Sequence, residues 1–363
     1  MLIVGYEHDT YVAKRLIIDK IPGISYTRVS FSGGIASPVP FNETELFNST
    51  HIQLGSCDIV HLFNRINFGN APYVVTCESA LPRGYRERNL ACGLAALVKE
   101  PCRKMLAMSS AAYAITEAYW RSRAPTCMYD RLMEKLMVLH PPQAPVPNAA
   151  ERFSAPQTVR FIFIGDDFFR KGGLAMFRAL ERVRIRFPGM ALTVVSTMQT
   201  GFNVTRAGAR ELRETAFFLQ RNRDWVTLYS DIPNEMVLSL LSEHHVGLLP
   251  SFFDTYGYAV LEMQAAGVPV ITTDIRAFPE INPEDAGWQV ALPAGELRDG
   301  STMEDIARSG VLLQQGLEEV LTSIMENPAL LKEKSLAAQA RIRTNHCPEA
   351  YAGTLLAVYA GKN

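Results

Sequence analysis

Apolar residues fall in short runs at positions 2–4, 59–63, 73–76, 105–108 and 137–139, separated by polar or amphipathic stretches. Runs of this length without alternation are the pattern of strands buried on both faces of a parallel sheet. The pattern sharpens further on, with candidate strands at 159–164, 191–195, 225–229, 246–249 and 270–273. Between the first two of these, Leu174, Phe177, Leu180, Val183 and Phe187 recur at helical spacing, Arg178, Arg182 and Arg186 take the other face, and Pro188-Gly189 ends the helix. That is one βαβ unit. Repeated with right-handed crossovers, it builds a doubly wound sheet whose ligands sit outside the carboxyl ends of the strands. From about Ala307 the chain is helix-rich and closes with an apolar helix over 351–360, expected to pack back on the first domain.

The stretch from His140 to Pro156 carries Pro141, Pro142, Pro145, Pro147 and Pro156, which forbid helix and suit an extended linker. The expected domains are therefore 1–145, joined by the last helix over 347–363, and 157–346. A length of 363 residues accommodates two domains, each with its own core. Hydrophobic residues make up 48% and charged residues 20%, an ordinary composition for a water-soluble protein, and no apolar stretch reaches the length of a membrane span. The opening residues read as a first strand rather than a secretory leader. Cys57, Cys77, Cys92, Cys102, Cys127 and Cys347 show no metal-ligand spacing and are expected as reduced thiols, in keeping with a cytoplasmic protein. A mild basic excess in the first 150 residues gathers at Arg83, Arg86, Arg88, Lys99, Arg103 and Lys104. It reads first as a solvated helix face, and second as a surface for an anionic acceptor or the inner membrane face. Nothing points to a nucleic-acid partner.

Two loops carry the candidate chemistry. Gly165-Asp166-Asp167-Phe168-Phe169-Arg170-Lys171-Gly172-Gly173 follows a buried strand and opens a helix. Unpaired N–H groups at a helix start, glycines that admit close approach and the charge of Lys171 together form a cradle for a diphosphate. Neither the GxxxxGK[ST] nor the GxGxxG pattern is present, which argues against a P-loop NTPase and a nicotinamide dehydrogenase. By itself this loop reads first as a solvated basic helix start and only second as a phosphate site. The second loop carries Asp254 and Tyr256, Gly257 permits a tight entry into a short helix beginning near Tyr258, Glu262 lies inside that helix, and Gly267 with Pro269 ends it. A carboxylate in the loop suits sugar hydroxyls and one a turn into the helix suits a ribose diol; a nucleotide-sugar has both. His244 and His245 close a predicted helix and read as partners of its carboxyl end, not as metal ligands. His8 and His61 stand near strand ends, where core or surface roles suffice.

At FIGDDFFRKGG, WVTLYSDIP, LLPSFFDTYGYAVLEMQAAGVPVITTD and FPEIN, in that order, the chain resembles the retaining GT-B glycosyltransferases of the family-four group, glycosyl transferases group one. The resemblance is close over about the last 200 residues and only general before them. It implies an α/β fold of GT-B type, two doubly wound Rossmann-like domains facing a central cleft, with acceptor on the first and nucleotide-sugar on the second. It implies transfer of a sugar from a nucleoside-diphosphate sugar to a hydroxyl of a glycan or glycolipid acceptor, with retention of anomeric configuration, no cofactor and no essential metal, on the cytoplasmic side.

Asp254 and Glu262 reproduce the family's acidic pair separated by seven residues, with Asp for the usual first Glu. The first is assigned to the transferred sugar and the second to ribose. Of the family's basic pair on the diphosphate, Lys171 is present, whereas the usual Arg after Gly165 is here Asp166, with Arg170 as its stand-in. Catalysis is thus assigned to Lys171, Arg170 and Asp254, and donor binding to Gly165, Asp166, Tyr256, Gly257, Tyr258 and Glu262. Where many members place a His this chain has Thr76-Cys77-Glu78-Ser79, which makes Glu78, with Arg83, the acceptor-side candidates. Two alternatives stay open: a non-catalytic nucleotide-sugar-binding paralogue, and an epimerase or hydrolase on the same fold.

Overall fold

The computed structural model describes residues 2–6, 21–29, 49–50, 52–53, 55, 57–83, 87–147, 156–201, 204–298 and 300–361. It divides into two compact units, Met1–Pro142 with His346–Asn363, and Gln143–Asn345.

The first unit contains β1 (Leu2–Tyr6), β2 (Ile24–Arg28), β3 (Ser49–Thr50), β4 (Ile59–Phe63), β5 (Ile66–Asn67), β6 (Tyr73–Cys77), α1 (Glu87–Val98), β7 (Cys102–Ala107), α2 (Ser110–Arg123), α3 (Thr126–Met133) and β8 (Leu136–Val138). Six of these strands form one sheet in the order β2-β1-β4-β6-β7-β8, every neighbouring pair parallel; β3 and β5 pair separately. β4 and β6 are buried almost throughout, which explains their unbroken apolar runs. β2, which the hydrophobic pattern did not announce, is an edge strand of sequence ISYTR and is only half-buried. One neighbour is enough to hold an edge strand, so it needs no continuous apolar run.

The second unit contains β9 (Val159–Ile164), α4 (Gly173–Arg186), β10 (Met190–Val195), α5 (Ala209–Arg221), β11 (Val226–Tyr229), α6 (Asn234–Leu241), β12 (Val246–Leu249), α7 (Tyr258–Ala265), β13 (Val270–Thr273), α8 (Phe278–Ile281), β14 (Trp288–Val290), α9 (Met303–Glu326) and α10 (Leu330–Asn345). Its sheet runs β11-β10-β9-β12-β13-β14, again all parallel. α4 buries Phe177, Leu180 and Val183 as its periodicity requires, while Arg178, Arg182 and Arg186 on the opposite face pair with Glu214, Glu318 and Glu326. These pairs lie at the surface and each contributes about 1 kcal/mol or less. The strand order reverses direction between β9 and β12. The loops leaving their carboxyl ends therefore diverge to opposite faces and open a crevice between them.

The last helix, α11 (Pro348–Tyr359), returns to the first unit, where Tyr351, Leu355, Val358 and Tyr359 pack against Val4, Ile59, Val74 and Leu106. His61 secures this helix: Nδ1 bonds the Tyr359 hydroxyl at 2.6 Å and Nε2 the Thr76 hydroxyl at 2.8 Å. Burial holds its pKa down at about 4 against an ordinary 6.5, so the folded chain keeps this ring neutral. The folded pKa lies below the unfolded one, so between them the unfolded chain binds more protons and acid favours unfolding. The contribution is fully present above about pH 6.5 and is lost as the pH falls through about 4, a change of about 3 kcal/mol. Denaturant titrations from pH 8 to 3.5 should show this loss, and His61→Gln should remove that component of the slope; an unchanged slope in the variant would assign it to other groups.

Candidate functional site

Three loops of the second unit meet at the crevice. The first, 165–172, leaves β9. Its Gly172 is left-handed (φ 77°), and a Cβ there would lie 2.1 Å from the Pro250 carbonyl oxygen; a Cβ on Gly173 would lie 2.3 Å from the Phe168 ring. Gly172 is thus what allows this loop to lie against the loop after β12, and Gly173 what lets it close over Phe168. Lys171 folds back over Gly165, where an added Cβ would meet its Cδ at 2.4 Å and its Nζ at 2.7 Å. Its ammonium has no hydrogen-bond or ion-pair partner among the described residues. The other members of the loop are engaged. Asp166 Oδ1 accepts from the Thr197 hydroxyl at 3.2 Å, Asp167 forms an isolated bridge to Gln199, and Arg170 binds Asp167. Asp166, assigned to the donor, is exposed and joins the first loop to the second, which leaves β10.

The third loop, 250–257, runs from β12 to α7. The Phe252 N–H donates to the Arg170 carbonyl at 2.9 Å and the Leu297 N–H to the Phe252 carbonyl at 3.0 Å, so it is held from both sides. Thr273 Oγ1 donates to the Ser251 carbonyl at 2.7 Å. Gly257 is left-handed (φ 90°) and a Cβ would lie 2.4 Å from the Phe278 ring, which fixes where α7 starts. Asp254 and Glu262 are both buried, 9% and 4% exposed, one before the first turn of α7 and one inside it. Two carboxylates so close to a helix amino end, on a loop held against the one that carries Lys171, suit a ligand with both phosphate and hydroxyl groups.

Tyr256 needs a correction. Placed at the donor by its position in the loop, it is 1% exposed, lies 5.4 Å from the Tyr258 ring, and its hydroxyl has no partner among the described residues. Burial, then the nearby Glu280, hold its pKa well above the phenol range. It is a core residue, whereas Tyr258 is only half-buried. The hydrogen-bond network beneath the site was not legible in sequence. Gln264 donates to the Ile281 carbonyl and to Asn282, and Asn282 donates to the Val270 carbonyl and Thr272. Polar residues in a buried helix gave the only hint.

In the first unit, Glu78 follows β6 and is clasped by Asn64: Asn64 Nδ2 donates to Glu78 Oε2 at 3.1 Å, and the Glu78 N–H donates to Asn64 Oδ1 at 3.0 Å. Arg83 reaches the same Oδ1 at 3.3 Å, so the two acceptor-side candidates are brought together by a residue that sequence reasoning missed. Asn64 is left-handed (φ 50°), a conformation that asparagine tolerates better than most residues. The basic cluster, by contrast, is divided. α1, about 18 Å long, carries the chain from the Arg83 end of the sheet to the other. There Arg103 Nη1 donates to the Tyr359 carbonyl, Lys104 to the Glu134 carbonyl, and Lys135 to those of Leu97, Val98 and Lys99. These cations cap helix carboxyl ends. Arg86 and the Arg88 side chain, like His8, lie outside the described residues. His244 Nδ1 donates to the Leu240 carbonyl in the last turn of α6 and Nε2 meets the Thr193 hydroxyl, each at 2.7 Å, and His245 Nδ1 accepts from the Arg160 N–H, so both rings are structural.

Two doubly wound parallel-sheet units, the second with its charged loops at the topological switch point, define a protein of the GT-B fold class. Residues 158–299 match the family model Glycosyl transferases group 1. Glycogen synthase of Mycobacterium tuberculosis is 26% identical over 203 residues, which cover 55% of this chain and 41% of the relative's length. Sucrose-phosphate synthase from Thermosynechococcus elongatus superposes with a TM-score of 0.54 at 18% identity, covering 84% of this chain and 73% of that one. HepE from Anabaena, solved with UDP, gives a TM-score of 0.59 at 11% identity over 84% of this chain and 79% of that one. Among the described residues no helix is long and apolar enough to cross a membrane.

Proposed function

We propose that this protein is a retaining glycosyltransferase that moves a sugar from a nucleoside-diphosphate sugar to a hydroxyl of a glycan or glycolipid, working on the cytoplasmic side without an essential metal or cofactor. The observation that carries the reading is the set of charges on two adjoining loops: an ammonium at Lys171 with no partner among the described residues, and the buried carboxylates of Asp254 and Glu262 before and inside α7. The family match over this segment and the relative named glycogen synthase support sugar transfer, and the neighbour solved with UDP supports a nucleotide donor.

Cleavage of the sugar–phosphate bond builds positive charge on the ring and negative charge on the departing diphosphate. Lys171 and the N–H groups opening α7 stand where they offset the latter, Asp254 receives hydroxyls of the sugar, and Glu262 the ribose diol. The leaving phosphate takes the proton of the acceptor hydroxyl, so the step calls for no protein nucleophile. Glu78, held by Asn64 beside Arg83, is the acceptor-side group of the first unit.

A second reading, a nucleotide-sugar-binding protein without turnover, is favoured by Asp166 standing where the resemblance places an Arg. A thermal-shift and nucleotide-release screen with UDP-, GDP- and ADP-sugars, with and without EDTA, separates the two. One nucleoside diphosphate should stabilise the chain and be released from its sugar on addition of a glycan acceptor, and Glu262→Gln should weaken its binding about tenfold, the loss of one charged hydrogen bond. Binding without release in the presence of any glycan acceptor would support the second reading, and absence of binding would refute both.

A further inference from the structure

Arg170 precedes Lys171, and the sequence places both cations on the diphosphate. Their surroundings differ. Arg170 Nε and Nη2 both donate to Asp167 Oδ2, at 2.8 and 2.5 Å, while Nη1 donates to the Phe253 carbonyl at 2.6 Å and stands 4.0 Å from Asp254 Oδ2. The side chain is only 14% exposed. Asp167 in turn is tied to the loop after β10 through the bridge to Gln199, and a Cβ on Gly201 would lie 1.5 Å from Asp167 Oδ1.

We propose that Arg170 is a positioning residue: with Asp167 it forms a strut that fixes Phe253 and Asp254 against the Lys171 loop, so that sugar and diphosphate are held at one set distance. The physical case has two parts. The Arg170 charge is neutralised by the Asp167 carboxylate, one oxygen of which accepts from two guanidinium nitrogens, so its pull on a phosphate is largely cancelled, whereas that of Lys171 is not. A planar guanidinium also has the fork needed to hold a carboxylate and a carbonyl at once, which a single ammonium lacks. The proposal rests on reading the crevice as a nucleotide-sugar site, but the strut itself is made of protein groups alone.

The test compares Arg170→Ala, Arg170→Gln, Asp167→Ala, the double Arg170→Ala/Asp167→Ala and Lys171→Met in the full chain. Hydrogen exchange of the amides in 251–257, measured without nucleotide, should quicken in every Arg170 and Asp167 variant and stay unchanged in Lys171→Met. Affinities for UDP and UMP, with the GDP/GMP and ADP/AMP pairs in parallel, should show the diphosphate-to-monophosphate ratio collapsing in Lys171→Met and staying within about threefold of wild type in Arg170→Ala, where donor turnover falls about tenfold with little change in KM. The double variant should be no worse than either single, as for two ends of one brace. A ratio that collapses in Arg170→Ala but not in Asp167→Ala would make Arg170 a diphosphate ligand and overturn the proposal. If no nucleotide binds wild type, the nucleotide-sugar reading fails and the exchange data decide the strut: unchanged exchange in the Arg170 and Asp167 variants sinks it.

Discussion

Lys171→Met is expected to lower the rate of nucleoside diphosphate release by about 10² to 10³, the range set by removing one aligned electrostatic donor from a developing anion. Methionine is the informative replacement because the stem of Lys171 lies over Gly165, within van der Waals reach of where a Cβ would stand. The variant keeps that packing and loses only the charge. Two unit charges about 4 Å apart at a protein surface interact by about 4 kcal/mol, and among the described residues no acid competes for this ammonium. The Tm without nucleotide should therefore remain that of the wild type, while the gain in Tm on adding nucleoside diphosphate disappears. A full rate in this variant would remove Lys171 from the site and return its position to that of a basic helix start.

Gly172→Ala should be the most damaging conservative change in the second unit, lowering stability by about 3 kcal/mol or more. Left-handed backbone costs a residue with a Cβ about 1 to 2 kcal/mol, and the new methyl group would meet the Pro250 carbonyl oxygen at 2.1 Å and Leu313 at 3.0 Å. The side chain of Leu313 can turn aside. The Pro250 carbonyl is backbone in the loop that carries Asp254, so relief there displaces the third loop and stretches the Phe252 N–H bond to Arg170. Activity should fall with stability. Gly310→Ala is the control, since Gly310 is inside α9 and a Cβ there meets nothing within 4 Å; it should stabilise by about 0.5 to 1 kcal/mol. Denaturant unfolding of both variants checks the pair, and equal effects would mean that the contact with Pro250 does not constrain the loop.

Among the strands, those buried on both faces could be read directly, because burial demands apolar residues at successive positions: β9, β12 and β13 lie where the pattern put them. β2 and β14 escaped because each sits at a sheet edge and is only partly buried, so the demand on each residue is weak. Lys171, Asp254 and Glu262 stand out in the sequence for a similar reason: charged residues in glycine-bearing loops after buried strands, or in the apolar helix that follows, contrast with their background. Tyr256 was misplaced because one loop residue faces the core and its neighbour the surface, and sequence spacing does not say which. The basic residues of the first unit are likewise near in sequence but divided in the fold, Arg83 meeting Asn64 while Arg103 and Lys104 bond carbonyls at helix carboxyl ends.

Local periodicity and turn chemistry determined the class of fold, the positions of most strands and the two loops that carry charge, because each of these is set by residues close together in the chain. Only the tertiary structure decided how those charges divide the work. Arg170 and Lys171 are neighbours in sequence, yet one is neutralised by Asp167 and tied to Phe253 and the other has no partner among the described residues. Likewise His61 is a lock on α11 because Tyr359, 298 positions away, supplies its hydroxyl. The free energy of a charged or polar group is fixed by what lies within a few ångströms of it, and several of those neighbours, such as Phe253 for Arg170 and Tyr359 for His61, are distant in sequence and brought close only by the fold.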